Sequence, residues 1–420
     1  MSASDAITPS APAPSSSPSC GHRGQEPASL LVFADDWGRH PSSCQHLVRE
    51  LLGDWPVCWV NTIGTRAPKF NLATARRAVE KLAQWSRSPS QRESAVENLS
   101  VLSPRMWPWF RRPHDRWLNR KLLGRTLSAA VRAMPQPVAA VTTLPIAADL
   151  VGELPVDRWI YYCVDDFSKW PGLDQATMEI MERKLIAEVD AIVAVSDDLC
   201  RRIGQMGREA ALLTHGVDPG HWRSNAACHP PRPMSALPRP LVTFWGLIDR
   251  RLDIEFIETL SRRLLHGTIA FVGPTDDADP RLFRLPRVVH VPAVAYAALP
   301  SVAHASEVLV MPYSDLEVTR AMQPLKLKEY LATGRPVVVR NLPSTGSWAD
   351  CLDLAATPDE FADVVLARLG GEVPREQAAA RCRLEHESWR QKAAEFRRLV
   401  VRARKPKVER ASVSSEATCR

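Results

Sequence analysis

Two residues in the last third of the chain have the types and spacing that bind a phosphorylated ligand. Lys326 and Glu329 stand three positions apart in a predicted helix, Leu325–Thr333, which Pro324 begins and Gly334 ends. The free N–H groups of a helix start, together with a lysine, suit a diphosphate, and a carboxylate one turn further on can accept hydrogen bonds from ribose hydroxyls. A solvated Lys–Glu pair on a surface helix would have the same spacing, so the spacing alone leaves both interpretations open.

A glycine and two arginines follow the predicted strand Leu241–Trp245. The segment Gly246–Asp253, with the sequence GLIDRRLD, opens a helix, and at such a position backbone N–H groups and a cation stabilise a phosphate. Arg251 is the first choice for that cation. Alternatively, Arg250 and Arg251 pair only with the aspartates of the same segment, because helix starts favour acidic residues with bases nearby.

Two adjacent carboxylates, Asp165 and Asp166, follow the predicted buried strand Trp159–Val164. Open parallel sheets bind their ligands at the carboxyl ends of strands, so at least one of the two should point into a cleft. There a carboxylate could act as base on an acceptor hydroxyl or stabilise a developing oxocarbenium charge. Aspartate is also favoured in turns, and the pair could instead cap the turn that follows.

Hydroxyl and basic side chains occupy the turn after the first predicted strand. His40, Ser42 and Ser43 are candidates to bind an acceptor or a donor phosphate there. A helix-capping role for Ser42 or Ser43 fits the same positions equally well.

The segment Trp107–Arg112, with the sequence WPWFRR, places aromatic and cationic groups before another predicted helix. It could receive a sugar or a lipid-linked acceptor, or contact a membrane surface. Such aromatic residues are more often partly buried packing groups.

Short apolar runs alternate with amphipathic stretches, a pattern typical of βαβ units around a parallel sheet. In the first half the predicted strands are Ser29–Trp37, Pro56–Ile63, Leu99–Leu102, Val138–Leu144, Trp159–Val164, Ala191–Ser196 and Ala211–Thr214. The predicted helices between them are Ser43–Leu52, Asp115–Met134, Ala176–Val189 and Asp197–Met206.

Six prolines between positions 219 and 240 interrupt the pattern, so neither a helix nor a central strand is expected there. The pattern resumes with strands Leu241–Trp245, Thr268–Val272, Val288–Val291, Glu307–Pro312 and Pro336–Val339, and with helices Asp253–Leu265, Ala297–Ala305 and Leu325–Thr333. We therefore predict Rossmann-like domains at 28–218 and 240–373, a linker at 219–239, and a crossover helix at 374–402. The two domains would face each other across a cleft.

The composition is that of a globular protein, with 45% hydrophobic and 24% charged residues among 420. No apolar run is long enough to span a membrane and no secretion signal is evident, so we expect a cytoplasmic protein. Nine cysteines without a C-x-x-C pair indicate neither a disulfide framework nor a zinc site.

The two ends differ from the body of the chain. Residues 1–27 contain five prolines and seven serines and are predicted to be disordered. Residues 403–420 form a predicted basic, disordered tail, and Lys or Arg fills seven of the fourteen positions Arg397–Arg410. That charge could contact anionic lipid, although a solvated end is the simpler interpretation, and no motif for nucleic acid accompanies it.

Four segments in order resemble group 1 (family 4-like) glycosyltransferases of the GT-B fold. They are YYCVDDFSKWPG at 161–172, AVSDDLCRRI through THGVD in 194–218, FWGLIDRRLD with FVGP in 244–274, and TRAMQPLKLKEYLATGRPVV at 319–338. The resemblance implies that Glu329 holds the nucleotide ribose, that Lys326 and Arg251 bind the diphosphate, and that Gly246 lets the backbone approach it. It also implies that the Thr319–Pro324 loop faces the donor sugar. The predicted donor site is therefore Gly246, Arg251, Thr319, Arg320, Pro324, Leu325, Lys326 and Glu329.

The chain departs from this family at one position of the motif. Many members have two glutamates eight positions apart, and the first of these positions is Ala321 here. The nucleotide-binding part of the motif is kept, whereas the part that contacts the sugar differs, so the sugar and the stereochemical outcome stay open. Relatives often use His near Asp165 and Asp166, and His215 stands where they usually have Asn, which favours a hinge contact for it.

The sequence thus predicts a metal-independent, hexosyltransferase-like enzyme. It would move a sugar from a nucleoside-diphosphate sugar, its co-substrate, to a glycan or lipid-linked acceptor in surface polysaccharide synthesis. No cofactor, metal or nucleic acid is expected, and contact with the inner face of an anionic membrane is a further expectation. A nucleotide-sugar epimerase and a non-catalytic binding partner for nucleotide-sugar or glycan are the alternatives.

Overall fold

The apolar runs form two separate parallel sheets, each inside its own α/β domain, in the computed structural model of this chain. The structure describes residues 26–38, 42–62, 90–93, 96–170, 172–224 and 230–403. Within these residues the predicted architecture of two Rossmann-like domains is confirmed.

In its described residues the first domain has eight strands and four α-helices. The strands are β1 Ser29–Ala34, β2 Val57–Asn61, β3 Ser90–Glu93, β4 Leu99–Ser103, β5 Val138–Thr142, β6 Arg158–Cys163, β7 Ala191–Ala194 and β8 Ala211–Leu212. The helices are α1 Ser43–Leu51, α2 Pro113–Ala133, α3 Gln175–Glu188 and α4 Asp197–Gln205, with a 3₁₀ helix at Pro145–Leu150. The sheet order is β3-β4-β2-β1-β5-β6-β7-β8, and only β3 and β4 pair antiparallel.

The connection between the domains differs from its prediction, because it contains two short helices. They are α5 Pro219–Arg223 and α6 Arg232–Ser235. A proline occupies the first turn of each, where its missing N–H has no partner to lose. The expectation that no helix lies in this segment is therefore wrong, since prolines exclude helix interiors but are accepted at helix starts.

The second domain has a six-stranded, fully parallel sheet. Its strands are β9 Leu241–Trp245, β10 Thr268–Val272, β11 Val288–Val291, β12 Val308–Met311, β13 Val337–Arg340 and β14 Asp353–Ala355. Its helices are α7 Ile254–Arg263, α8 Leu299–His304, α9 Glu317–Ala321, α10 Leu325–Ala332, α11 Pro343–Gly346 and α12 Pro358–Ala367, with 3₁₀ helices at Leu282–Arg284, Tyr296–Ala298 and Ala349–Cys351. The sheet order is β11-β10-β9-β12-β13-β14.

In each sheet, successive strands are added first on one side of the first strand and then on the other, so the strand order reverses once. From β1 the chain proceeds to β2 on one side and to β5 on the other, and from β9 it proceeds to β10 on one side and to β12 on the other. Open parallel sheets bind ligands outside the carboxyl ends of strands at such reversals. The loops after β9 and β12, together with helix α10, contain the predicted donor residues, the loop after β6 contains the predicted catalytic residues, and Ser42 and Ser43 lie at the start of α1, after β1.

The predicted crossover helix at 374–402 is broken in the structure. It consists of α13 Arg375–Ala380, a 3₁₀ helix at Arg381–His386, and α14 Trp389–Arg402. The break occurs where the Glu387 carbonyl accepts a hydrogen bond from Val217 N at 2.8 Å and Ser388 caps α14. A single continuous helix is therefore wrong, but the crossing itself is observed, because Leu384 lies in the core of the second domain and α14 lies in that of the first.

No helix in the described part of the chain is long and apolar enough to cross a membrane. The predicted disordered segment 1–27 and basic tail 403–420 fall outside the described residues, apart from Glu26, Pro27 and Ala403. The expectations for these two ends stay predictions.

Candidate functional site

Two glycines bring the ends of β9 and β10 together with no side chain between them. Gly246 has φ of 132°, and a Cβ built on it would lie 2.3 Å from Lys326 Nζ. Gly273 has φ of 145°, and its Cβ would lie 2.0 Å from the carbonyl oxygen of Gly246. Only glycine fits both positions, and the backbone after β9 is therefore open to close approach by a ligand.

Lys326 lies in the first turn of α10 and extends toward the end of β9. Its Nζ donates a hydrogen bond to the Tyr313 hydroxyl at 2.8 Å and lies 4.5 Å from the centre of the Phe244 ring. Within the described part of the chain no carboxylate lies at ion-pair distance from it. Lys326 thus keeps a cationic head, at a helix start, that an anionic ligand can neutralise.

Glu329 lies one turn further along α10 and is only 7% exposed. Burial raises its pKa to about 7, opposed by the charge of Lys326 and by interactions with the Trp245 and Tyr296 side chains. A solvated surface pair would leave the carboxylate in water, so that interpretation does not hold for Glu329. A buried carboxylate without a full set of donors is ready to accept hydrogen bonds from hydroxyl groups.

Arg251 is 8% exposed and lies between the two domains. Its Nη2 pairs with Asp249 Oδ2 at 2.9 Å, which is one of the two predicted alternatives. Its guanidinium also lies 4.8 Å from the centre of the Trp170 ring of the first domain and 5.7 Å from that of Tyr313. Asp249 thus holds Arg251 at the cleft. Arg251 and Lys326 both contact the side chain of Tyr313.

The neighbouring charged residues have separate partners. Arg250 pairs with Asp277 at 2.8 Å near the surface, and Asp279, two positions further on, pairs with Arg281 at 2.8 Å. Asp253 caps α7 by accepting hydrogen bonds from the backbone at its start.

In the structure, the first two side chains of the Thr319–Pro324 loop bond to the residues just before it. Thr319 is fully buried, and its hydroxyl accepts from Leu316 N at 2.9 Å and donates to Ser314 O at 2.5 Å. Arg320 is exposed and pairs with Asp315. Both predicted donor-binding side chains therefore have their partners at residues 314–316 rather than around Gly246, Lys326 and Glu329.

The rest of this loop contacts the first domain. The carbonyl of Ala321 accepts a hydrogen bond from Ser196 Oγ, at the start of α4, at 2.7 Å. Pro324 is the residue before α10, and the half-buried Leu325 packs against the core of the first domain. The loop that lacks the family's first glutamate thus joins the two domains.

Asp165 and Asp166 differ in their partners. Asp166 is 5% exposed, pairs with Arg202 at 3.1 Å, and accepts hydrogen bonds from Ser168 N at 3.0 Å and Ser168 Oγ at 2.5 Å. Asp165 retains a partial opening to solvent, and burial raises its pKa to about 7, opposed by Arg251 and reinforced by Asp166. Asp166 thus has the turn-capping role, and Asp165 is the carboxylate near Arg251.

The acceptor-side residues lie at the start of α1, after β1. Ser42 caps this helix by accepting from Gln45 N at 3.4 Å, and it donates to Asp35 Oδ1 at 3.0 Å. Ser43 is buried. His40 lies outside the described residues. The capping alternative is therefore observed for Ser42, and Asp35 is a further carboxylate at this edge.

Two side chains of the loop after β6 reach the second domain. Trp170 lies over Arg251, and Lys169 pairs with Glu317 at 2.7 Å. Phe167 stacks on Trp170 with ring centres 6.4 Å apart. The loop that contains Asp165 therefore contacts both Arg251 and the start of α9 in the second domain.

A buried ionic cluster joins three parts of the chain: the end of the first domain, helix α10, and the crossover segment around Glu387. Lys328 of α10 pairs with Glu387 at 2.5 Å, and Lys392 of α14 pairs with the same carboxylate at 2.8 Å. Lys328 also donates to the carbonyl of His215 and to Thr214 Oγ1. His215 is buried, which lowers its pKa to about 3, so its imidazole is neutral at this domain junction.

Aromatic rings continue this junction. His46 of α1 stacks on Trp389 of α14 with ring centres 4.8 Å apart and lies 5.4 Å from Tyr296 of the second domain. His221 in turn stacks on Tyr296 at 4.6 Å. The two domains are thus joined by stacked rings beside the site of Glu329, which interacts with the same Tyr296.

The aromatic segment Trp107–Arg112 is a packing element in the structure. Trp107 Nε1 donates to Asp115 at 2.9 Å, and its backbone N–H donates to Asn119 at 2.7 Å. Asn119 donates to the carbonyls of Trp107 and Trp109, and Phe110 is buried. The start of α2 thereby fixes this segment, as the packing alternative expects, and Arg111 and Arg112 stay exposed.

Three residues of the site region had no role in the sequence-based prediction. They are Trp170, Tyr296 and Lys328, and each contacts a partner in a different part of the chain. The only sequence signals were a tryptophan in the YYCVDDFSKWPG segment and a second lysine in the motif of α10.

Comparison with known proteins adds evidence on fold and relationship. No protein-family model matches the chain. A curated Bacillus subtilis (strain 168) protein, whose assignment as teichuronic acid biosynthesis glycosyltransferase TuaH is itself provisional, is 29% identical over 172 residues. That alignment covers 39% of this chain and 43% of the relative, so the chain spans less than half the length of the relative it matches.

Solved structures match over nearly the whole chain. Sucrose-phosphate synthase from Thermosynechococcus elongatus superposes with a TM-score of 0.64 at 15% identity, covering 89% of this chain and 98% of that one. Anabaena HepE in complex with UDP-glucose superposes with a TM-score of 0.60 at 12% identity, covering 88% of this chain and 98% of that one. At these identities the similarity establishes the fold, and the chain has the GT-B architecture of two Rossmann-like domains.

Proposed function

We propose that this protein transfers a sugar from a nucleoside-diphosphate sugar to a glycan or lipid-linked acceptor. The observation that supports this most directly is the buried carboxylate of Glu329, one turn from Lys326, at the chain reversal of the second sheet. The glycosyltransferase relative and the UDP-glucose complex of HepE support the same ligand class.

In this proposal the ribose hydroxyls of the donor donate to Glu329. The diphosphate lies against the backbone at Gly246, the start of α10, and Lys326. Arg251 exchanges part of its pairing with Asp249 for the diphosphate, whose leaving-group charge the cations and helix N-termini stabilise. These groups serve the leaving group without a metal ion or a further cofactor.

The acceptor lies on the first domain, near Asp165. With a pKa of about 7, this carboxylate is partly ionised at neutral pH and serves either as base for the acceptor hydroxyl or as a counter-charge to the oxocarbenium-like centre. Trp170 and the Lys169–Glu317 pair hold the two domains together over the diphosphate. Closure excludes water from the reacting sugar.

We further propose a place for this reaction at the cytoplasmic face of a membrane, in the synthesis of a surface polysaccharide. The relative from Bacillus subtilis is assigned to the synthesis of such a polymer, teichuronic acid. Lipid-linked glycans are membrane-bound acceptors, so a peripheral contact with anionic lipid fits the same role.

The decisive experiment is thermal stabilisation of the full chain by UDP, GDP, ADP and their sugars. We expect the nucleotides of one base to raise the melting temperature of the native protein. The same nucleotides should not raise the melting temperature of Glu329→Gln or Lys326→Met. Glu179→Gln is the matched control, because Glu179 belongs to an exposed i,i+4 pair with Arg183. No shift with any nucleotide contradicts the proposal, and binding without transfer of labelled sugar favours a non-catalytic protein.

A further inference from the structure

The outer face of α2 combines an exposed tryptophan with exposed cations. Trp117 is 53% exposed and Leu122 is 36% exposed, although both belong to a helix of a well-packed domain. Lys121 is exposed between these two residues, and Arg125 is exposed just after Leu122. A large aromatic side chain left in water on a helix face is informative when cations surround it.

The spacing along α2 separates a core face from this outer face. The residues buried in the domain follow each other at intervals of four: Asp115, Asn119, Leu123, Leu127 and Val131. On the opposite side of the helix lie the exposed residues His114, Trp117, Lys121, Arg125 and Arg132, with Leu122 beside them. The outer face thus runs the length of the helix, about 30 Å at 1.5 Å per residue.

The charge on this face has one sign. Between Arg111 and Ala133 there are seven Lys or Arg residues and one acidic residue, Asp115, which is buried. Arg116 and Arg120 pair with carboxylates of the first domain, at 2.7 and 3.4 Å. In the described part of the chain, Lys121, Arg125 and Arg132 have no carboxylate at ion-pair distance.

We propose that the outer face of α2 docks this protein on an anionic lipid surface. A long stripe of cations with an exposed Trp and Leu matches a planar layer of negative headgroups, into whose boundary the aromatic and aliphatic groups insert. A single soluble phosphate would engage one or two of these cations and would leave Trp117 in water.

The position of α2 relates this surface to the cleft. The helix starts at Pro113, after the loop that leaves the carboxyl end of β4, and the exposed Arg112 extends the charge to that end, whereas Arg111 pairs with Asp174 at 3.7 Å. This is the edge of the first sheet that holds the acceptor in the proposed function. Docking there presents the acceptor side to lipid-linked glycans, a consequence that rests on the proposed function, whereas the docking itself does not.

Vesicle flotation of the full chain tests the surface. We expect flotation with phosphatidylcholine vesicles that contain phosphatidylglycerol, none with phosphatidylcholine alone, and release at high salt. Lys121→Glu/Arg125→Glu should lower the partition coefficient at least about tenfold, because each cation near such a surface contributes about 1 kcal/mol, roughly a fivefold factor. Trp117→Ala should lower the partition coefficient severalfold even at low salt.

The matched control is Arg262→Glu/Arg284→Glu, which makes the same charge change at exposed positions of the second domain. Flotation that the control reduces as much as the α2 variants overturns the proposal, since net charge would then suffice. Absence of flotation by the native chain overturns it as well. The nucleotide-induced melting shift, measured on every variant, confirms folding and reports separately on the proposed function.

Discussion

The carboxyl ends of the two sheets hold different chemistry. The second-sheet edge, which we call the donor edge, comprises Gly246, Gly273, Lys326 and the buried Glu329. The first-sheet edge, which we call the acceptor edge, has hydroxyls and carboxylates that largely bond to each other, as in the Ser42–Asp35 contact. A diphosphate and a ribose are constant parts of a nucleotide-sugar, so their site can be rigid and charged. An acceptor differs between enzymes, and in the described residues the partly buried cation at its edge, Arg202, is already paired with Asp166 and Glu182.

The largest expected effect lies at the acceptor edge. Asp165→Asn should lower the rate of sugar transfer about a thousandfold while leaving nucleotide binding nearly unchanged, because general base catalysis is typically worth 10²–10⁴. The native rate should fall as the pH drops below about 7, where Asp165 becomes protonated, and this acid limb should vanish in the variant. Transfer of radiolabelled sugar into a membrane fraction, followed across pH, measures both.

Asp166→Asn separates the two neighbouring carboxylates. Because Asp166 pairs with Arg202 and caps Ser168, this variant should lose about 2 kcal/mol of unfolding free energy with a smaller effect on rate. Equal loss of transfer in both variants at full stability would contradict the assignment of Asp165.

The next effect lies at the donor edge and concerns stability. The pKa of Glu329 is raised from 4.5 to about 7, so its contribution to stability is complete below about pH 4 and is lost as the pH rises through 7. Glu329→Gln should therefore make the nucleotide-free protein more stable at pH 8, by up to about 3 kcal/mol, and leave it unchanged near pH 4. Urea unfolding at the two pH values measures the difference. Destabilisation at pH 8 would indicate a structural ion pair instead.

A backbone change at the same edge should weaken binding without removing a charge. Gly246→Ala places a Cβ against Lys326 Nζ at a φ that L-residues avoid, so we expect nucleotide affinity to fall about a hundredfold. Gly152→Ala is the control, since Gly152 has φ of 79° and nothing within 4 Å of its added Cβ. Calorimetric titration with the stabilising nucleotide measures the dissociation constants. Similar losses in both variants would attribute the effect to backbone strain alone.

The smallest expected effect tests whether the contact between the two edges affects the rate of transfer. Trp170→Ala removes the ring over Arg251 and should lower kcat about tenfold with little change in nucleotide affinity, since a desolvated cation–π contact is worth about 1 to 2 kcal/mol. Trp170→Phe should restore much of the rate. A change confined to nucleotide affinity would place Trp170 in the donor site alone.

Strand positions followed from the sequence because both faces of the central strands are buried. Every residue of β1 is at most 1% exposed, so the strand appears as a continuous apolar run. The three-residue β14 is too short to show a period, and the break of the crossover at Glu387 depends on partners in other parts of the chain. Local patterns contain no information on such contacts.

The site was predictable where chemistry is local. Lys326 and Glu329 lie in one helix, and their spacing already indicated a phosphate and a ribose. The capping of Ser42, the internal bonding of Thr319 and the placement of Trp170 over Arg251 depend on three-dimensional neighbours. The resemblance assigns the side chains of Thr319 and Arg320 to the donor, and their observed partners are residues just before the loop, Leu316 and Asp315.

The return of α14 to the first domain affects how the chain folds during synthesis. Trp389, Phe396 and Val400 belong to the core that β1 to β8 begin, and Arg158 in β6 donates to the carbonyl of Val401. The ribosome therefore releases the last part of this core only after the entire second domain has been made. The domain that is translated first is completed last, and a ribosome-bound chain that stops before residue 389 exposes the surface that α14 covers.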